Sequence, residues 1–203
     1  METPKQHLAV SPEEQRVAPR VTLLIRPAKL ATPEGEFVCV IRDVSATGVS
    51  VRLFHPLPHG KAASLETETG QKLAMRRVWV RGSEAGFQFE HAIDVASLIS
   101  EAGQFPKRKL RIEIELPVTV TILGTDFQAS VSNLSQQGAR IELNAPLALA
   151  QRLLIGSDYL PDIRAQVRWR GGGGYGLVFE DTFSLGDFAN IAALLQSPTL
   201  LHR

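Results

Sequence analysis

The sequence predicts an all-β protein built twice, each copy a small β-barrel or sandwich closed by a short helix. Three observations carry this. Landmarks recur along the 203-residue chain at one offset. Apolar residues alternate with period two inside the recurring segments. A stretch of helical periodicity follows each set of strands.

The repeat is read from four landmarks. Asp43-x-Ser45-x-x-Gly48 precedes Asn133-x-Ser135-x-x-Gly138 by ninety positions, and Trp79 precedes Trp169 by the same number. GVSVRL (Val49, Val51, Leu53) corresponds to GARIEL (Ala139, Ile141, Leu143), and GFQFE (Gly86 to Glu90) to GLVFE (Gly176 to Glu180). A constant offset marks a tandem duplication. In the second copy RIEIELPVTVTI places Ile112, Ile114, Leu116, Val118, Val120 and Ile122 on one face of a strand. Val95, Leu98, Ile99 and Ala102 fall at helical spacing, as do Phe188, Ile191, Ala192 and Leu195. Pro106 and Pro198 end these segments. The expected organisation is a flexible tail over 1–13, a first domain over 14–103 and a second over 104–203.

Composition narrows the function. With 22 basic and 21 acidic residues the net charge is +1, which argues against a general DNA- or RNA-binding protein or a polybasic membrane binder. The single cysteine, Cys39, permits neither an intramolecular disulfide nor a Cys-based zinc site, and reads as a buried small hydrophobe. The five histidines show no metal-ligand spacing beyond HPLPH, so no metal or cofactor is expected, and His55 and His59 read as solvated. No apolar run reaches membrane-spanning length, so no membrane insertion is expected. The polar N-terminus lacks the apolar stretch of a signal peptide, which gives a cytoplasmic expectation. Gly171–Gly174 lacks a following Gly-Lys-Ser/Thr and reads as a loop. Trp79 and Trp169 read as core or inter-domain packing. No acid, base or nucleophile set emerges, so no enzymatic activity is expected.

Binding chemistry concentrates in two short motifs. DVSATG alone is a turn, its Gly suited to positive φ and its Ser and Asp to bonding the turn's own backbone. RVAPRV places Arg16 and Arg20 just before the first strand, and a meander would bring that loop beside the turn. Arginine forks take phosphate and guanine O6 and N7, a carboxylate accepts from the guanine N1–H and N2–H₂ edge, and a hydroxyl serves either way.

Arg16-x-x-x-Arg20 followed by Asp43-x-Ser45-x-x-Gly48 resembles the signature of PilZ domains, six-stranded barrels that act as receptors for cyclic di-GMP. The resemblance implies two tandem PilZ-type barrels over roughly residues 14–200. It further implies that the arginine loop wraps an intercalated dinucleotide dimer while Asp43 and Ser45 contact a guanine. Copy two departs from the pattern. Lys107-x-x-x-Arg111 replaces the arginine pair, Arg108 lies one position out of register, and the turn reads Asn133, Ser135, Gly138. Lysine lacks the planar fork and stacking face of arginine, which places the main site in the first copy and leaves Lys107, Arg108, Arg111, Asn133, Ser135 and Gly138 as a candidate second site. The expected function is a non-enzymatic cyclic di-GMP receptor that signals to a protein partner of unknown identity. The alternative is a PilZ-like interaction scaffold that binds no nucleotide.

Overall fold

The computed structural model describes residues 21–57, 59–67, 70–100 and 110–200. The first copy runs β1 (Val21–Thr32), β2 (Gly35–Ser45), β3 (Gly48–Leu53), β4 (Ala62–Glu66), β5 (Lys72–Arg81), β6 (Glu84–Phe89) and α1 (Val95–Ser100). The second runs β7 (Arg111–Ile122), β8 (Thr125–Ser135), β9 (Gly138–Leu143), β10 (Arg152–Ser157), β11 (Leu160–Gly171), β12 (Gly174–Phe179) and α2 (Leu185–Gln196). A 3₁₀ turn over Pro198–Leu200 follows.

Each set of six strands closes into an antiparallel barrel. The neighbour order is β1-β2-β3-β6-β5-β4 in the first and β7-β8-β9-β12-β11-β10 in the second, the same path twice. The first three strands pair as the expected meander, and β1 closes the ring on β4 over only Lys29–Ala31. That short closure tolerates Pro27, which lies outside it and has no N–H to donate. Interiors are filled by the alternating residues: Leu30, Phe37, Ile41, Val51, Leu65 and Met75 in the first barrel, Ile112, Val120, Leu134, Ile141 and Ile155 in the second. Cys39 is fully buried, its thiol donates to the Ala28 carbonyl at 3.5 Å, and burial pushes its pKa up to about 12. The glycine run Gly171–Gly174 forms the β11–β12 hairpin turn, with Gly172 at φ +58° and Gly173 at φ +76°.

His55 departs from the expectation that it is solvated. It is only 5% exposed, its ring lies 5.3 Å from that of Phe37, and its Nδ1 bonds the Pro56 carbonyl at 2.7 Å. The residue follows the end of β3, and the chain turns inward there, so the imidazole packs as core. Burial lowers its pKa, only partly offset by the Pro56 bond.

Helix α2 is the element that both barrels share. Ser184 caps it, its Oγ accepting from the Asp187 N–H at 3.1 Å and donating to Asp187 Oδ2 at 2.6 Å. Phe188, Ala189 and Ala192 pack into the second core, whereas Ala193 and the following Leu200 pack into the first. Alanines, fully buried, let the helix backbone approach the sheet closely. The helix lies on the outer face of β2, where Val38 and Val40 are buried although the barrel interior is on the other side. The counterparts of Val38 and Val40 on β8 are Gln128 and Ser130. The unbroken apolar run FVCVI in β2, against FQASV in β8, is therefore the sequence trace of the junction.

Polar groups close its rim. The Glu36 N–H donates to Gln196 Oε1 at 3.4 Å, Gln196 Nε2 donates to the Glu113 carbonyl at 2.7 Å, and the Glu113 N–H donates to Glu36 Oε2 at 2.8 Å. Lys29, 6% exposed, holds the same carboxylate at 2.9 Å and Glu66 at 3.2 Å. Burial alone would lower the Lys29 pKa, but hydrogen bonds and attraction from Glu36 and Glu66 outweigh it and raise the pKa. Gly35 sits beneath Gln196: a Cβ there would come 2.3 Å from its Oε1.

Two outcomes follow for stability. Val38→Gln, which installs the copy-two residue, loses the buried valine and strands an amide, so urea denaturation should show about 2–4 kcal/mol of destabilisation. Gln128→Val in copy two should change stability far less. For His55, a lowered folded pKa means that the unfolded chain binds more protons, so stability is intact above about pH 6.5 and falls as pH drops below it. His55→Phe should flatten the melting temperature between pH 7 and pH 5.

Candidate nucleotide-binding groove

The motif residues meet on the outer wall of the first barrel because of bulges. Inward positions of β2 are Phe37, Cys39 and Ile41, so strict alternation would send Asp43 inside. The β2–β3 register shifts between Ile41 and Asp43, and Asp43 turns outward while Val44 takes the inward place. A second shift, between Arg77 and Trp79 on β5, turns Trp79 outward in the same way. A third lies on β1 between Thr22 and Arg26.

A row of partners then crosses the wall. Thr22 pairs with Asp43, Asp43 with Ser50, Ser50 with Gly86, and Gly86 with Trp79. The Trp79 indole lies across Gly86, where an added Cβ would be 2.0 Å from its Nε1. Ser50 Oγ donates to Asp43 Oδ2 at 3.0 Å. Around the row opens a groove of about 440 Å³, lined among others by Asp43, Ser45, Gly48, Ser50, Val78 and Trp79. A carboxylate and a hydroxyl stand at one end, an aromatic face at the other. That combination fits a planar ring bearing hydrogen-bond donors.

Expectations for this region meet two corrections. Trp79 and Trp169 are not core: they are 37% and 40% exposed, because the bulge reverses their side. Gly48 and Gly138 are not at positive φ. They are glycine because a Cβ would come 2.6 Å from the Phe87 carbonyl oxygen in the first barrel and 2.1 Å from that of Leu177 in the second. Ser45 and Ser135 are buried, and their hydroxyls bond the turn itself, to the Gly48 carbonyl at 3.3 Å and the Gly138 carbonyl at 2.9 Å. Ser50, Gly86 and Trp79 join Asp43 only through the strand ladder. The repeat itself marks Trp79 and Gly86 in the sequence, but not Ser50, whose counterpart is Arg140.

Arg16, Arg20, Lys107 and Arg108 lie outside the described residues. Arg111 is described: it pairs with Ser135, and its Nη1 donates to Asn133 Oδ1 at 3.2 Å. Three residues, Leu23 to Ile25, separate Thr22 from Arg26 at the β1 shift, where two, Ile114 and Glu115, separate Glu113 from Leu116 at the β7 shift. This one-residue difference explains why the basic segments align at an offset of 91 while the turns align at 90.

The second barrel repeats the row with different chemistry. Asn133 pairs with Arg140, Arg140 with Gly176, and Gly176 with Trp169, whose indole covers it in the same fashion. Arg140 stands where the first barrel has Ser50, and Arg168 where it has Val78. Arg140 Nη2 donates to the Gly172 carbonyl at 2.9 Å, and its Nε is buried without a partner among the described residues.

Comparison with known proteins places these observations. A model of the PilZ domain matches residues 14–102 and again 106–197. No curated protein matches the chain. Among solved structures, similar ones include PlzA of Borreliella burgdorferi in complex with c-di-GMP (12% identity, TM-score 0.35, 83% of this chain and 86% of that one). The Bacillus subtilis inhibitor of motility MotI/DgrA is similar at 12% identity and TM-score 0.34, over 88% and 98% of the two chains. YcgR of Escherichia coli in complex with c-di-GMP is similar at 12% identity and TM-score 0.33, over 81% and 80%. Among the described residues no helix is long and apolar enough to cross a membrane, and no group of His, Cys, Asp and Glu could hold a metal ion.

The two glycines of the first groove should behave differently. Gly48→Ala meets backbone that cannot yield and should destabilise the chain by about 1–3 kcal/mol in denaturant titration. Gly86→Ala meets a side chain that can swing away. In a Trp169→Phe background it should shift Trp79 fluorescence toward that of a solvated indole, with a smaller loss of stability.

Proposed function

The chain belongs to the PilZ family as a tandem pair of domains, and on that premise we propose that it is a non-enzymatic receptor for cyclic di-GMP that binds the dinucleotide through its first barrel. One observation carries the choice of barrel: the groove on the first wall is lined by all three described members of its motif, Asp43, Ser45 and Gly48.

In this reading Asp43 accepts from the N1–H and N2–H₂ edge of a guanine, held at the right angle by the Ser50 hydroxyl. Ser45 holds the turn in shape by donating to the Gly48 carbonyl, and its oxygen lone pairs remain to accept from the guanine edge. Trp79 offers a base-sized face at the far end of the row. Arg16 and Arg20 precede β1, whose first residues pair with Val44 and Asp43, and they supply the forks for phosphate and guanine N7. The signal leaves through a protein partner in the cytoplasm. The second barrel is read as a scaffold, because Arg111 already occupies the Asn133 amide oxygen and Arg140 stands in the row.

Calorimetric titration with cyclic di-GMP tests the reading. Wild type should bind near two nucleotides per chain, one intercalated dimer in one barrel. Near four would return the second barrel to the receptor role. Asp43→Ala, Arg16→Ala and Arg20→Ala should each lose about 1.5–3 kcal/mol, roughly ten- to 150-fold in affinity. Absence of both heat and a melting shift in the wild type would sink the receptor assignment and leave a ligand-independent scaffold.

A further inference from the structure

The outer walls of the two barrels repeat one pairing row and differ in the side chains that stand on it. From the first to the second, Asp43 becomes Asn133, Ser50 becomes Arg140 and Val78 becomes Arg168. Within this row one negative charge is removed and two positive ones are added around a repeated framework, while beside it Glu142 replaces Arg52 and Gly171 replaces Arg81. That framework is the same turn, the same glycine and the same tryptophan.

Shape changes with charge. In the first barrel Ser50 is small and the wall is concave around it. In the second the Arg140 side chain runs over the β11–β12 hairpin, with its Nε 3.3 Å from where a Gly174 Cβ would sit, and is tied to the Gly172 carbonyl. Arg168 is the extra residue of the β11 bulge, which directs it to the same side as Trp169. It is exposed and has no ion-pair partner among the described residues. Val178, 39% exposed, adds apolar area on the same face beside Trp169, itself 40% exposed. Glu142 borders the patch at the Gly174 end, and Glu180 is engaged with Arg152 at 3.4 Å.

We propose that this wall of the second barrel is a docking surface for an acidic segment of a partner protein, with Trp169 and Val178 receiving an apolar side chain and Arg140 and Arg168 pairing with carboxylates. Charge complementarity selects an acidic partner. The filled, arginine-covered wall selects a protein over a small molecule, which needs a concave site. Tryptophan and arginine are the residues that contribute most at protein interfaces, where a partly prefixed guanidinium loses little freedom on binding. The cationic zone is confined to one hairpin and bordered by Glu142, too short for an extended nucleic acid that needs a continuous basic track. The proposal locates the outgoing contact of the receptor reading but does not need the nucleotide to be bound.

The test uses the full chain. Peptides selected from a random phage-displayed library on the immobilised protein are synthesised with a fluorescent label and titrated against wild type and the Arg140→Ser/Arg168→Val double variant. That variant installs the first-barrel residues. The expected result is a set of acidic peptides carrying an aromatic or large aliphatic residue, whose affinity falls at least tenfold in the variant and weakens with salt. Trp169→Phe alone, with melting temperature as the folding control, should weaken the same peptides by a smaller factor. Cyclic di-GMP titration of the double variant should match wild type, so loss of nucleotide binding in both proteins would count against the receptor reading and not against docking. No acidic bias among the selected peptides, or equal binding by the variant, would overturn the proposal. So would a labelled single-stranded oligonucleotide whose binding is abolished by the same substitutions.

Discussion

A closed six-stranded barrel has no interior to spare. Its core positions are taken by side chains such as Phe37, Ile41 and Met75 in one copy and Ile112, Ile141 and Ile155 in the other. Every group that meets another molecule must therefore stand on the outer wall, and strict alternation would have put two of the most useful ones inside. The register shifts at Asp43 and Trp79 resolve that conflict. Each adds one residue to a strand and turns the residue after it to the outer side.

Glycine then decides how closely the wall can be built. At Gly48 and Gly138 the neighbouring strand's carbonyl occupies the space of a side chain, and at Gly86 and Gly176 a tryptophan lies across it. These positions make the turn compact and the aromatic face flat. The pair of serines behind them, Ser45 and Ser135, bond the turn's own carbonyls. Part of the motif that looks like ligand chemistry is therefore the architecture that holds Asp43 or Asn133 in place.

Strand β2 performs two tasks on one face. Its C-terminal end carries Asp43 and Ser45, and its middle and N-terminal end carry Val40, Val38 and Glu36 under helix α2 of the second copy. The equivalent face of β8 carries Ser130, Gln128 and Asp126, which offer no apolar seat for a further helix. The ring of bonds among Glu36, Glu113 and Gln196, anchored by Lys29, sets the angle at which the helix sits.

Local pattern was enough for the duplication, the β class, the terminal helices and the burial of Cys39, because period, offset and side-chain chemistry are properties of neighbouring residues. The motif pairs were legible for the same reason. The side of the wall on which Trp79 and Asp43 stand was not, since a bulge is set by pairing with another strand and leaves no trace in the strand's own alternation. Burial of His55 follows from where the chain passes after β3, and the role of Ser50 and Arg140 follows from which strand lies beside β2 and β8. Period and offset alone make the chain a β structure built twice, with the Asp43 and Asn133 turns at matching places. Strand pairing across the barrel leaves an open groove around Asp43 and Ser50 in the first copy and lays Arg140 over the same row in the second, because the neighbours that make the difference come from strands distant in the chain.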